Sequence, residues 1–217
     1  MMKHWICKAW KENKSFLIFI ALMLIFRSAV ADWNEVPTGS MKPTILEGDR
    51  ILVNKMAYDI RVPFTHISLF QRSNPIRGDI VVFDSKASGK KLVKRIVGVP
   101  GDIVELKNNV LIINGEQLSY ELVTSNDTAI DKMEDLLGVE HFIRVSKHGS
   151  PLSSFRSDVI PSGYYFALGD NRDNSADSRV IGLVPRQEIV GRSRHVVLSF
   201  NYENYYIPRK DRFLQKL

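Results

Sequence analysis

Ile80-Val81-Val82-Phe83 and Leu92-Val93-Lys94-Arg95-Ile96-Val97 decide how this chain folds. Both are short and rich in β-branched residues, and turn residues bound them, which is the pattern of half-buried or buried strands. The same reading extends outward to Ile51-Leu52-Val53, Ile103-Val104-Glu105-Leu106, Val110-Leu111-Ile112-Ile113, Tyr164-Tyr165-Phe166-Ala167-Leu168 and Val196-Val197-Leu198-Ser199-Phe200. Asn108-Asn109 and Asn114-Gly115 have the composition of tight hairpin turns. Beyond the N-terminal apolar run, helical periodicity is scarce, and residues 129–138 are its best candidate. The expectation is a mainly β fold with an antiparallel core.

Residues 16–26 (FLIFIALMLIF) are continuously apolar, with Lys3, Lys8, Lys11 and Lys14 before them and Asp32 and Glu35 after. As a helix, residues 16–33 would span about 27 Å, close to a hydrocarbon core of ~30 Å. Arg27 can snorkel to the far interface, where Trp33 is also at home. The lysines place the N-terminus in the cytoplasm and the remainder outside. Ala29-Val30-Ala31 also fits the end of a cleavable leader. Arg27 argues for a retained anchor instead, and either reading exports the body. The expected organisation is a basic cytoplasmic segment (1–15), an anchor (16–33), a core in two parts (34–106 and 163–217) and an inserted, more polar subdomain (107–162).

The chain has 217 residues, a formal net charge of +6 and a single cysteine, Cys7. One cysteine excludes an intrachain disulfide and a cysteine-based metal site. The positive charge suits anionic lipid, and its dispersal, without a finger or helix-turn-helix pattern, argues against nucleic acid.

Val36-Pro37-Thr38-Gly39-Ser40-Met41-Lys42-Pro43-Thr44 presents one hydroxyl on a stiff turn shortly after the apolar run. None of the five histidines has the setting of its base. Lysine is the alternative, but at an ordinary pKa only about one in 2,500 is neutral at pH 7, so burial must lower it. Lys94 meets that requirement, because its same-face neighbours along the strand are Leu92 and Ile96. Lys90 and Lys91 sit in a Ser-Gly turn. Residues 169–179 (GDNRDNSADSR) are too polar for a buried strand and fail the calcium-loop pattern, so no metal is expected. Asp177 and Arg179 are expected to form a structural ion pair.

Four blocks together resemble the type I signal peptidases, membrane-anchored Ser/Lys proteases that remove leaders from exported preproteins. They are residues 37–44 (PTGSMKPT), 77–83 (RGDIVVF), 94–102 (KRIVGVPGD) and 169–179. The resemblance implies that Ser40 is the nucleophile and Lys94 the general base, with Ser175 orienting the lysine. It gives the Ser40 N–H and the Thr38 hydroxyl to the oxyanion hole, and it makes Asp177 and Arg179 the braces of the loop. Threonine at 38 keeps a hydroxyl where many relatives have serine, and Lys42 stands where relatives are often apolar. Val36, Met41, Leu92 and Val93 are expected to line shallow apolar pockets for small substrate side chains. The implied partners are preproteins and membrane lipid, the implied location is the outer face of a bacterial inner membrane, and no cofactor is implied. Two alternatives are weaker: the apolar run argues against a self-cleaving cytoplasmic Ser/Lys regulator, and intact Ser40, Lys94 and Ser175 argue against a non-catalytic anchored β-domain.

Overall fold

The computed structural model describes residues 2–65, 67–202 and 204–217, with side chains described from residue 13 onward. Helix α1 (Met2–Ala29) precedes a body built almost wholly of antiparallel strands. Among the described residues, no helix is long and apolar enough to cross a membrane. The helix also ends earlier than the expected boundary at Trp33. Ala31–Glu35 is a strand, β1, whose Trp33 opposes Leu52. A strand partner thus overrides the helical continuation.

In chain order the other strands are β2 (Asp49–Asn54), β3 (Asp59–Arg61), β4 (Ser68–Gln71), β5 (Ile80–Ser85), β6 (Lys90–Gly98), β7 (Val104–Lys107), β8 (Val110–Ile113) and β9 (Glu116–Gln117). They continue as β10 (Ser119–Ser125), β11 (Ala129–Asp135), β12 (Glu140–Ser146), β13 (Phe155–Arg156), β14 (Tyr164–Leu168), β15 (Val184–Pro185), β16 (Ile189–Asn201) and β17 (Ile207–Pro208). A short helix, α2 (Ser178–Ile181), follows β14. The main sheet runs β1-β2-β16-β5-β6-β14-β15. One face buries Ile45, Ile51, Val53, Ile80, Val82 and Val196, and the other Tyr58, Val81, Phe83, Ile96, Tyr165 and Ala167. Each such aliphatic side chain contributes about 1.5–3 kcal/mol on burial.

The inserted segment carries two small sheets, β13-β7-β8-β9 and β10-β11-β12. Asn108 (φ 49°) and Asn109 (φ 62°) make the left-handed turn that joins β7 to β8, and Asn114 (φ 54°) and Gly115 (φ 87°) join β8 to β9. Both hairpins follow from turn chemistry alone. The expected boundary at 107 falls inside the first small sheet, since β7 already belongs to it. Val104 and Leu106 share a core with Val97, Phe166 and Leu168 of the main sheet, so apolar content gives no signal of the change of sheet.

Residues 129–138 do not form a helix. Most of that stretch is β11, paired on both sides by β10 and β12. Its pattern misleads because Asp131 and Glu134 are buried polar residues. Arg144 holds Asp131 and Arg172 holds Glu134, so positions that read as solvent-facing are interior.

Candidate functional site

Ser40 lies in a single 3-10 turn, Gly39–Met41, between β1 and β2. At the start of such a turn the N–H groups lack partners within the helix, so the Ser40 N–H is an available donor. Thr38, just before it, is extended (φ −130°, ψ 151°), exposed, and makes no capping bond with its hydroxyl. Met41 anchors the turn from beneath and is fully buried.

Lys94 comes from the middle of β6. Leu92, Ile96 and the cross-strand Val81 share its face of the sheet. It is 2 % exposed, and its Nζ lies 2.8 Å from Ser40 Oγ and 3.0 Å from the Val93 carbonyl oxygen. Burial is the largest influence on the amine and depresses its pKa from the ordinary 10.5 to about 8. Asp177 and Asp170 oppose that shift, and Arg179 adds to it. The apolar flanks therefore do what their positions in the strand suggest, even with two carboxylates nearby.

The loop after β14 reaches this pair because β14 is the neighbour of β6. Its acids are committed to other partners. Arg95 grips Asp170 through Nε (2.9 Å) and Nη2 (2.8 Å), and the Thr44 hydroxyl donates to the same carboxylate at 2.6 Å. Burial pushes the Asp170 carboxyl up, but Arg95 more than offsets this and holds it below the ordinary range. Asp177 receives Nε (2.8 Å) and Nη2 (2.7 Å) of Arg179 and also the Gly169 N–H at 3.0 Å. Arg179 further donates to the Leu152 and Arg172 carbonyls at 2.6 and 2.5 Å. Among the described residues, no three His, Cys, Asp or Glu side chains converge on a metal position.

Ser175 is buried, and its Oγ has no hydrogen-bond partner among the described residues. The structure thus brings it to the site without a bond to Lys94. Its closest constraint is Gly169, where an added Cβ would stand 2.2 Å from Ser175 Oγ and 2.5 Å from the Ser40 carbonyl oxygen. Of the expected pocket residues, Val36 (3 % exposed) and Met41 (0 %) pack into the core, while Leu92 and Val93 are half-buried on opposite faces of the sheet. His141 is buried against Glu134, His148 and His195 are exposed, and none touches Ser40. His66 and the His4 side chain lie outside the described residues.

One contributor was not foreseen. Asn171 donates its side-chain Nδ2 to the Gly39 carbonyl at 2.9 Å, and its N–H to the Ser40 carbonyl at 3.1 Å. It clasps the serine turn from the loop side. Spacing carries no signal of this, because an asparagine in a polar loop of eleven residues reads as turn chemistry. The loop is in turn held by the insert. The Arg144 N–H donates to the Asp170 carbonyl at 2.8 Å, the Arg172 N–H to the Arg144 carbonyl at 2.9 Å, and the Arg172 guanidinium pairs doubly with Glu134.

A β-sheet body that sets a desolvated lysine amine against a serine hydroxyl has the arrangement of a Ser/Lys hydrolase. The family model described as "Signal peptidase, peptidase S26" matches residues 9–198, and the chain belongs to that family. Signal peptidase I of Pseudomonas aeruginosa is 37 % identical over 204 residues, spanning 87 % of this chain and 72 % of the relative. That of Pseudomonas fluorescens is 36 % identical over 209 residues with the same shares. The crystal structure of a signal peptidase I from Enterococcus faecalis V583 is 31 % identical, with 55 % of this chain and 97 % of that one covered, at a TM-score of 0.37.

Proposed function

We propose that this protein is a membrane-anchored serine endopeptidase that cuts leader peptides from exported preproteins after small residues, through an acyl-enzyme. The observation that carries the chemistry is the 2.8 Å approach of a buried amine to Ser40 Oγ. Neutral Lys94 takes the hydroxyl proton as Oγ attacks the scissile carbonyl. The Ser40 N–H and the Thr38 hydroxyl receive the developing oxyanion. The lysine, now an ammonium, gives its proton to the leaving amine, and the C–N bond breaks. It then takes a proton from water, whose oxygen attacks the acyl carbon, and returns that proton to Ser40 Oγ as the acyl C–Oγ bond breaks and the leader leaves with a free carboxylate. Ser175 orients the lysine, and Asp177 with Arg179 braces the loop that carries it.

The leader lies as an added strand on β6. In support, β14 pairs only with Arg95, Ile96 and Gly98, and among the described residues no strand covers that edge from Lys90 to Lys94. Small side chains are selected beside Leu92 and Val93, with Val36 and Met41 as the floor beneath the serine turn. Anchoring rests on α1. Its 28 residues make about 42 Å of helix, its side chains from Phe16 to Phe26 are exposed, and Lys3, Lys8, Lys11 and Lys14 precede that run while Arg27 follows it. On this reading the N-terminus lies in the cytoplasm and the body on the outer face of a bacterial inner membrane.

Incubating the purified full chain with a preprotein whose leader ends Ala-x-Ala, then sequencing the new N-terminus, tests the reading. A cut after that alanine is expected, lost in Ser40→Ala and in Lys94→Ala. Full activity of either variant would refute the pair.

A further inference from the structure

Two residues past the serine, a cleft of about 240 Å³ opens between Lys42, Leu46, Glu47, Arg144, Tyr202 and Arg209. Lys42 Nζ is paired with Glu47 Oε2 at 3.0 Å, and both side chains remain part-exposed. This pair lies directly on Gly39, where an added Cβ would sit 2.9 Å from Glu47 Oε1 and 3.0 Å from Lys42 Cδ. Arg144 is neutralised by Asp131. Arg209 is different. It donates to the Glu47 carbonyl and the Ser199 hydroxyl, both at 3.0 Å, and to Asn201 Oδ1 at 3.4 Å, and among the described residues it has no carboxylate partner. Counted over the described residues that line it, the cleft therefore carries one surplus positive charge beside the nucleophile's turn.

Its position gives it a side of the substrate. β1 starts two residues after α1 ends and runs away from it to Glu35. Tyr202, one wall of the cleft, donates its hydroxyl to Glu35. The cleft thus stands at the end of β1 remote from the helix. A leader held in the bilayer approaches from the helix end, so the chain beyond the scissile bond leaves toward the cleft. We infer that the cleft is a subsite for the first residues of the mature chain and favours carboxylate side chains there. This rests on the peptidase reading above. The incoming carboxylate binds Arg209, which has no carboxylate partner among the described residues, and competes with Glu47 for Lys42, whereas a lysine meets a net positive wall. At part-exposed positions such charge effects are modest, about two- to fivefold in rate per interaction.

The test uses preproteins identical up to the cut, with Glu, Gln or Lys placed in turn at each of the first four mature positions. Each is assayed for kcat/KM with the full chain in detergent. At one or more positions Glu is expected to exceed Lys about fivefold. Lys42→Gln should shrink that ratio, and Glu47→Gln should enlarge it. Opposite movement of one internal ratio cannot come from partial unfolding. Ratios near one at all four positions, or ratios unmoved by both variants, would overturn the subsite while leaving the peptidase intact. Failure to cleave even the Gln substrate would overturn the peptidase reading and the subsite with it.

Discussion

Replacing Lys94 with methionine should make the protein inactive and, near neutral pH, more stable. The amine is held at a pKa of about 8 instead of 10.5. At about 1.4 kcal/mol per pH unit, keeping it charged in the fold costs about 3 kcal/mol. The sign follows from linkage. Below pH 8 the lysine is protonated both folded and unfolded, so the whole penalty applies. Between 8 and 10.5 the unfolded chain binds the extra proton, and stability rises with pH. Methionine conserves most of the volume and removes the penalty, but it forfeits the bonds to Ser40 Oγ and the Val93 carbonyl, about 1 kcal/mol each. Lys94→Met is therefore expected to gain about 1–2 kcal/mol at pH 6.5. That gain should fall by about 2 kcal/mol by pH 9.5, where the folded amine is already neutral. Urea unfolding of the full chain in detergent, followed by circular dichroism at both pH values, measures this. The difference between variant and parent isolates Lys94 from other titrations. A difference that does not change between the two pH values would mean that the amine is not desolvated, and the proposed base would fail with it.

Three further outcomes are expected. Cleavage kcat/KM should rise about tenfold per pH unit up to about pH 8 and then level off, as neutral Lys94 accumulates; a flat profile from 6 to 9 counts against a lysine base. Gly169→Ala should abolish cleavage and lower the urea midpoint, because the new methyl meets both the Ser40 carbonyl and Ser175; retained activity would mean that the loop is free to retreat. Arg172→Met should cost about 3–5 kcal/mol by leaving buried Glu134 without its guanidinium, and Glu134→Gln in the same chain should restore part of it; additive losses would deny the pairing.

Much of this was legible before any coordinates. The strand runs and Asn turns are local signals, and they landed in the expected hairpins because turn chemistry and β-branching act within a few residues. Lys94 was legible for the same reason, since alternation along one strand names its neighbours. The rest depends on partners distant in sequence. Glu134 reads as a solvated helix residue until Arg172, 38 residues away, is placed against it. The stretch from Ala31 to Trp33 reads as the end of a helix until β2 pairs with it. Val36 and Met41 read as pocket walls near the serine, but which side chains face the core depends on the turn's tilt, which spacing does not encode. Asn171 is the clearest case. Its two bonds to the serine turn span more than 130 residues of chain.

The grip of β12 on the loop has an architectural consequence. Because the Asp170 and Arg144 carbonyls are satisfied across that junction, the segment from Val104 onward is no detachable ornament on a self-sufficient catalytic unit. Trimming it to a short linker would strip the scaffold from the strap that seats the nucleophile. Grafting it from a relative would succeed only if the donor brought a matching counter-ion for Arg172, which Glu134 supplies here. Substitutions at the rim of the insert should therefore be tolerated, and those at Glu134 of β11 and Arg144 of β12 should not.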